Sequence, residues 1–161
     1  MTGYYEEKLN EGQKYQDFII DELGKLGIIV QQYGSRHYQF NKGESRSRYE
    51  IKYDSRMSET GNVYIEVAEK ANALNENFIK SGIFRGDNTW FYCIGDDTHA
   101  YVLTVKDLRL ICGHTREWKN ARNIKFVETL TSQAYLIPEE YVREYLSVGE
   151  LVFEKPFKRR S

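Results

Sequence analysis

Glu50, Lys52 and Asp54 occupy alternate positions of one short stretch, Tyr49-Glu50-Ile51-Lys52-Tyr53-Asp54. Tyr64, Glu66, Ala68 and Lys70 repeat the spacing in Asn62-Val63-Tyr64-Ile65-Glu66-Val67-Ala68-Glu69-Lys70. Carboxylates of this kind can hold a hard divalent cation through oxygen, and an amine beside them can steady an anion. In both stretches the other parity is largely apolar, Tyr49/Ile51/Tyr53 and Val63/Ile65/Val67, which is the period-2 signature of strands. Between them, Ser58-Glu59-Thr60-Gly61-Asn62 supplies the small, polar residues of a tight connection, so the expected unit is an antiparallel hairpin with one charged face.

Placing Asp54 directly across from Glu66 sets Lys52 opposite Ala68, Glu50 opposite Lys70 and Met57 opposite Val63. Like charges directly opposite destabilise a ladder. That register therefore calls for a cation between the two acids, with Lys52 one layer away on the same face. The other register sets Lys52 across from Glu66 as an ordinary cross-strand ion pair, and a solvated sheet face would carry the same alternation. The residues alone leave these readings open.

An acid on one strand and, a dozen positions later, an acid on the next with a lysine nearby resembles the PD-(D/E)XK nuclease superfamily, which includes restriction endonucleases and Holliday-junction resolvases. Asp54 matches the first acid and Glu66 the second. The motif lysine falls at position 68, which here is Ala68. Lys70 has the right parity but lies roughly 13 Å along the strand from Glu66, whereas Lys52, across the expected ladder from Ala68, brings its ammonium to nearly the same place. The resemblance thus implies a lysine that has moved across the hairpin, which this superfamily tolerates. Arg48-Tyr49 lacks the proline before the first acid. A rival frame takes Glu50-Ile51-Lys52 as the acid-x-lysine element, with Glu44 as its upstream acid.

The resemblance implies an α/β fold, a restriction endonuclease-like αβββαβ core with a mixed central sheet flanked by helices, spanning roughly residues 12 to 105. It implies a Mg2+-dependent (or Mn2+-dependent) DNA endonuclease that hydrolyses phosphodiester bonds, with Asp54, Glu66 and Lys52 as catalytic residues. The metal ligands would be Asp54, Glu66, the Val67 carbonyl and Glu50. In relatives of the resolvase kind the opening helix brings a further acid toward the metal; here Glu11 or Gln16 would hold that place. The expected partner is DNA, with a second copy of the chain by analogy. The alternative, kept open by Ala68, is a non-catalytic nuclease-fold protein that binds DNA or another protein.

The elements that must position these residues follow in chain order. Tyr15, Phe18, Ile19, Leu23 and Leu26 recur at helical spacing and Gly27 ends the run, which predicts an amphipathic helix from about Tyr5 to Leu26. A strand is expected from Ile28, then a long polar connection, Gly34 to Arg48. Its Arg36, His37, Lys42, Arg46 and Arg48 have the chemistry of a phosphate-contacting patch, or of a merely solubilising loop. Ala71 to Lys80 reads as a weak helix. Thr89 to Ile94 is a buried strand that forms a hairpin with His99 to Val105, Trp90 and Tyr92 being taken as packing residues, and Asp107 to Ile111 is a short helix. Arg116, Lys119, Arg122 and Lys125 form a second basic cluster around Trp118. Leu136 to Pro138 ends a strand and Glu139-Glu140 opens a helix.

The chain has 161 residues, 40% of them hydrophobic and 29% charged, with a net charge of -1. That is one domain's length, read as residues 1–150 with a basic tail over residues 151–161. Near-neutral charge argues against a surface that grips nucleic acid all over, but not against a local patch. Cys93 and Cys112 sit in apolar stretches, which suits a reduced, cytoplasmic interior. No apolar run has the length of a membrane span, no signal-peptide layout opens the chain, and zinc spacing, phosphate-cradling glycine loops and nucleophile elbows are absent.

Overall fold

The computed structural model describes residues 2–30 and 48–158, and its first element is helix α1 (Thr2–Lys25). Tyr15, Ile19 and Leu23, one turn apart, form its fully buried stripe. Gly27, at φ 81°, closes it: Gly27 N donates to Gly24 O and Ile28 N to Leu23 O, both at 3.0 Å, the paired bonds of a Schellman cap that a left-handed residue permits.

Among the described residues, eight strands form two four-stranded sheets. In the first, β1 (Tyr49–Tyr53) lies parallel to β4 (Phe91–Gly95), which runs antiparallel to β5 (His99–Thr104) and through it to β8 (Gly149–Val152). The second is antiparallel throughout, in the order β3 (Ile79–Lys80), β2 (Asn62–Glu69), β7 (Ser132–Pro138), β6 (Lys125–Glu128). Short helices α2 (Met57–Thr60), α3 (Val105–Cys112), α4 (Arg116–Asn120) and α5 (Glu139–Tyr141) join them, α5 running on into a π turn over Val142–Leu146. The chain is thus mixed α/β with a mixed sheet.

Two apolar clusters set the layers. Tyr15, Ile19 and Leu23 of α1 pack on one face of the first sheet against Ile51, Cys93, Ala100, Val102 and Leu151. The opposite face, Tyr92, Ile94, Tyr101 and Leu103, meets Val63, Ile65, Val67 and Ile137 of the second sheet. Each fully buried aliphatic or aromatic side chain contributes about 1.5–3 kcal/mol by leaving water.

The expected hairpin does not form. Tyr49–Tyr53 and Asn62–Glu69 are strands, but β1 pairs with β4, Glu50 beside Tyr92 and Lys52 beside Ile94, while β2 pairs with β3 and β7 in the other sheet. Neither Asp54 opposite Glu66 nor Lys52 opposite Ala68 occurs, and the single central sheet becomes two. The cause is the connection: Met57, fully buried, pulls α2 into the core, and Gly61 at φ 70° then turns the chain into the second layer. The hairpin of β4 and β5 forms as expected, as do the helix after it, the strand end at Pro138 and the helix that opens at Glu139. Residues 71–78 are not a helix; Leu74 is 89% exposed and no apolar stripe is buried there. Ile28–Val30 carries no strand pairing, and the rest of that expected strand lies outside the described residues. The segment read as a basic tail is folded as far as described: β8 reaches Val152, Leu151 and Phe153 are buried, and Phe157 packs against Tyr15.

Candidate functional site

The alternation of β1 still sorts its residues. Ile51 faces α1, so Glu50, Lys52 and, just past the strand, Asp54 point to the other side, where Tyr92 and Ile94 of β4 lie. Glu50 is 1% exposed and its Oε1 meets the Lys52 ammonium at 3.0 Å. Asp54 N continues the β1 ladder by donating to Gly95 O at 2.8 Å. Its carboxylate then bridges the layers: Oδ1 accepts from Arg56 N at 3.2 Å and Oδ2 from Tyr64 N of β2 at 3.3 Å. Burial raises the Asp54 pKa above the usual carboxylate value, and those two amides act against the rise.

Glu66 is held from two sides. Ser81 Oγ donates to its Oε1 at 2.9 Å, and Ser132 Oγ, itself 2.6 Å from the Tyr64 hydroxyl, to its Oε2 at 3.2 Å. Ser81 comes this close because the next residue is glycine: a Cβ on Gly82 would stand 2.1 Å from Glu66 O.

Lys52, Asp54, Tyr64, Glu66 and Tyr92 line one cavity of about 250 Å³. The two acids and the amine therefore border one cavity, which lies between the two sheets and not along a shared ladder. Glu50 Oε2 and the Tyr92 hydroxyl, both with almost no exposed surface of their own, have no hydrogen-bond partner among the described residues. The Tyr92 phenol is raised well above its ordinary value, first by burial and then by Glu50.

The other expected residues fare differently. Val67 O accepts Ser81 N at 3.0 Å and its side chain belongs to the core, so it stands apart from the cavity. Glu11 and Gln16 of α1 line an adjoining cavity of about 330 Å³ that shares Lys52, Tyr53 and Ser55 with the first, and Glu11 pairs with Lys158. Lys70 lies over the Phe78 ring at 4.4 Å, which leaves Lys52 as the lysine at the acids. Arg48, at φ 65°, lays its guanidinium 4.0 Å over Trp90, which is 59% exposed and so is not the packing residue expected. Arg36, His37, Lys42 and Arg46 lie outside the described residues. In the second basic cluster Lys119 is buried and donates to Cys112 O and the Tyr135 hydroxyl, both at 2.8 Å, a structural role. Burial pushes the Cys93 and Cys112 thiols up to about 12, unsuited to nucleophilic work.

Beside the site, Asp96 accepts from Ser58 N of α2 at 3.1 Å and from the Ser58 hydroxyl, and lies 3.3 Å from His99 Nδ1, while His99 Nε2 bonds to Glu139. Tyr92, Ser81, Ser132 and this clamp escape sequence reading. Only the parity of Tyr92 against Glu50 carries a signal, and it becomes readable once β1 is known to pair with β4. Among the described residues no group of three or more His, Cys, Asp or Glu side chains is placed to hold a metal ion, and no helix is long and apolar enough to cross a membrane. Compared with family models, curated proteins and solved structures, the chain matches none.

Proposed function

We propose that the chain is a Mg2+- or Mn2+-dependent phosphodiesterase of the PD-(D/E)XK kind acting on DNA, with a restriction endonuclease-like core built across the two layers. The observation that carries this reading is that Lys52, Asp54 and Glu66 line one cavity although they come from separate layers. A hard cation suits the donor set: both candidate ligands at the cavity are carboxylates, and Mg2+ takes only one or two of these and keeps several waters. Asp54 and Glu66 would hold the ion, which when bound supplies Lewis-acid polarisation of a phosphate and of a water.

The chain's own residues do the rest. Lys52, 42% exposed and braced by Glu50, offers its ammonium to a phosphate oxygen at the cavity. The Tyr64 and Arg56 amides fix the Asp54 carboxylate, and the two serine hydroxyls fix Glu66, so neither acid must reorganise when charge arrives. These same bonds favour a second reading, a non-catalytic protein that binds DNA or another protein and uses the polar cluster to lock its sheets together. Incubating supercoiled plasmid with the protein and Mn2+ separates the two. The nuclease reading expects nicking that Asp54→Asn lowers by at least about 100-fold with the circular dichroism unchanged; intact plasmid with the wild-type protein overturns it.

A further inference from the structure

Tyr92 stands in an otherwise apolar run, Trp90-Phe91-Tyr92-Cys93-Ile94, on the parity that faces the second sheet. Phenylalanine would fill that space equally well. The phenol is 2% exposed and lines the cavity of Lys52, Asp54 and Glu66, yet its hydroxyl has no hydrogen-bond partner among the described residues. A buried hydroxyl without a partner loses its hydration and recovers nothing within the fold. Its use is therefore to be sought in something that enters the cavity.

The surroundings decide what that is. A phenol, with an ordinary pKa of about 10, keeps its proton at neutral pH, so it serves as a donor and not as a base or metal ligand. Its complement is an acceptor oxygen. Lys52, on the strand beside it and on the same cavity wall, makes a negatively charged oxygen the favoured one.

Resting on the reading of the cavity as a phosphodiester site, we propose that Tyr92 is a substrate-binding residue whose hydroxyl donates to a non-bridging oxygen of the phosphodiester, paired with the Lys52 ammonium. Tyr92 and Lys52 then form the anion-holding side of the cavity, and Asp54 and Glu66 the cation-holding side.

Two measurements on Tyr92→Phe test this without requiring turnover. In ligand-free buffer the melting temperature stays within about 2 °C of wild type or rises, because the hydroxyl has no bond to lose. A fall of about 4 °C or more shows a bond inside the fold, to Glu50 or through a trapped water, and overturns the proposal. Binding of the dinucleotide thymidylyl-(3′→5′)-thymidine, followed by NMR with and without Mg2+, weakens about tenfold in Tyr92→Phe. Lys52→Met weakens it as well, while the affinity for Mg2+ alone is unchanged in Tyr92→Phe. Equal dinucleotide affinity in wild type and Tyr92→Phe, or no binding by the wild type, overturns it. Because both readouts are equilibria, failure of the plasmid to be nicked would count against the nuclease and leave the diester-binding role of Tyr92 decided by these data.

Discussion

Asp54 serves two ends that oppose each other. Its carboxylate is partly buried and its pKa is raised, first by burial, so the ionised form that would grip a cation is the form the fold disfavours. A carboxyl whose folded value lies above its unfolded one contributes stability in full at low pH, and that contribution is lost as pH climbs through the folded value. At neutral pH the charge is therefore a cost. Asp54→Asn keeps an oxygen for the Tyr64 amide and removes the charge. It is expected to raise the melting temperature by about 2–4 °C, on the order of 1 kcal/mol, while abolishing any metal-dependent activity. Thermal denaturation of the metal-free proteins reads this, and a lower melting temperature in the mutant contradicts it. At this scale the sequence was informative where chemistry shows in residue type: Glu50, Lys52, Asp54 and Glu66 stand out by charge within alternating stretches. Tyr92 did not, because a tyrosine in an apolar run has the same appearance whether its hydroxyl is used or only its ring.

Strands were legible as elements, but of their partners only β5 beside β4 was. Alternation tells which side chains share a face, but two amphipathic strands joined by a short polar link look alike whether they pair or enter different layers. The choice was made by Met57, whose burial in the α2 turn sends β2 away from β1. That turn is secured by Asp96, which holds Ser58, and by His99, which reaches from Asp96 to Glu139 at the start of α5. The hydrogen bond to Asp96 raises the His99 pKa to about 9, burial opposing it and Glu139 assisting. A histidine raised in this way contributes its stability in full below its unfolded value of about 6.5 and loses it as pH climbs through about 9. Chemical denaturation should show wild type more stable than His99→Gln by up to about 3 kcal/mol at pH 6.5, the gap narrowing by pH 9.5. A gap that does not change with pH would remove the clamp from the account. Asp96 is the counterpart: burial would raise it, but the bonds from His99, Ser58 and Thr98 hold it well below the carboxylate range, so its contribution persists above its unfolded value and is lost only in acid.

Among the described residues, helix α1 and two sheets make three layers, and the cavity opens where β1, at the edge of the first sheet, comes against β2 of the second. An α/β reading was available from the mixture of periods; the second sheet was not, because β6, β7 and β3 are short or far from β2 in sequence. Nor was the end of the chain: basic residues from Lys155 onward suggested a tail, yet Phe153 is 7% exposed and meets Phe18 edge-on at 4.8 Å between ring centres. Phe153→Ala is expected to cost about 3–5 kcal/mol, measured by denaturant unfolding, whereas a true tail would lose less than about 0.5 kcal/mol. The claim on which the function rests is that acids from the two layers share one cation. Calorimetric titration of Mn2+ into wild type, Asp54→Asn, Glu66→Gln and the double mutant tests it directly. The account predicts a single site that each substitution weakens about tenfold or more, with the double mutant losing clearly less than the sum of the two; no Mn2+ binding by the wild type, or losses that simply add, would contradict it.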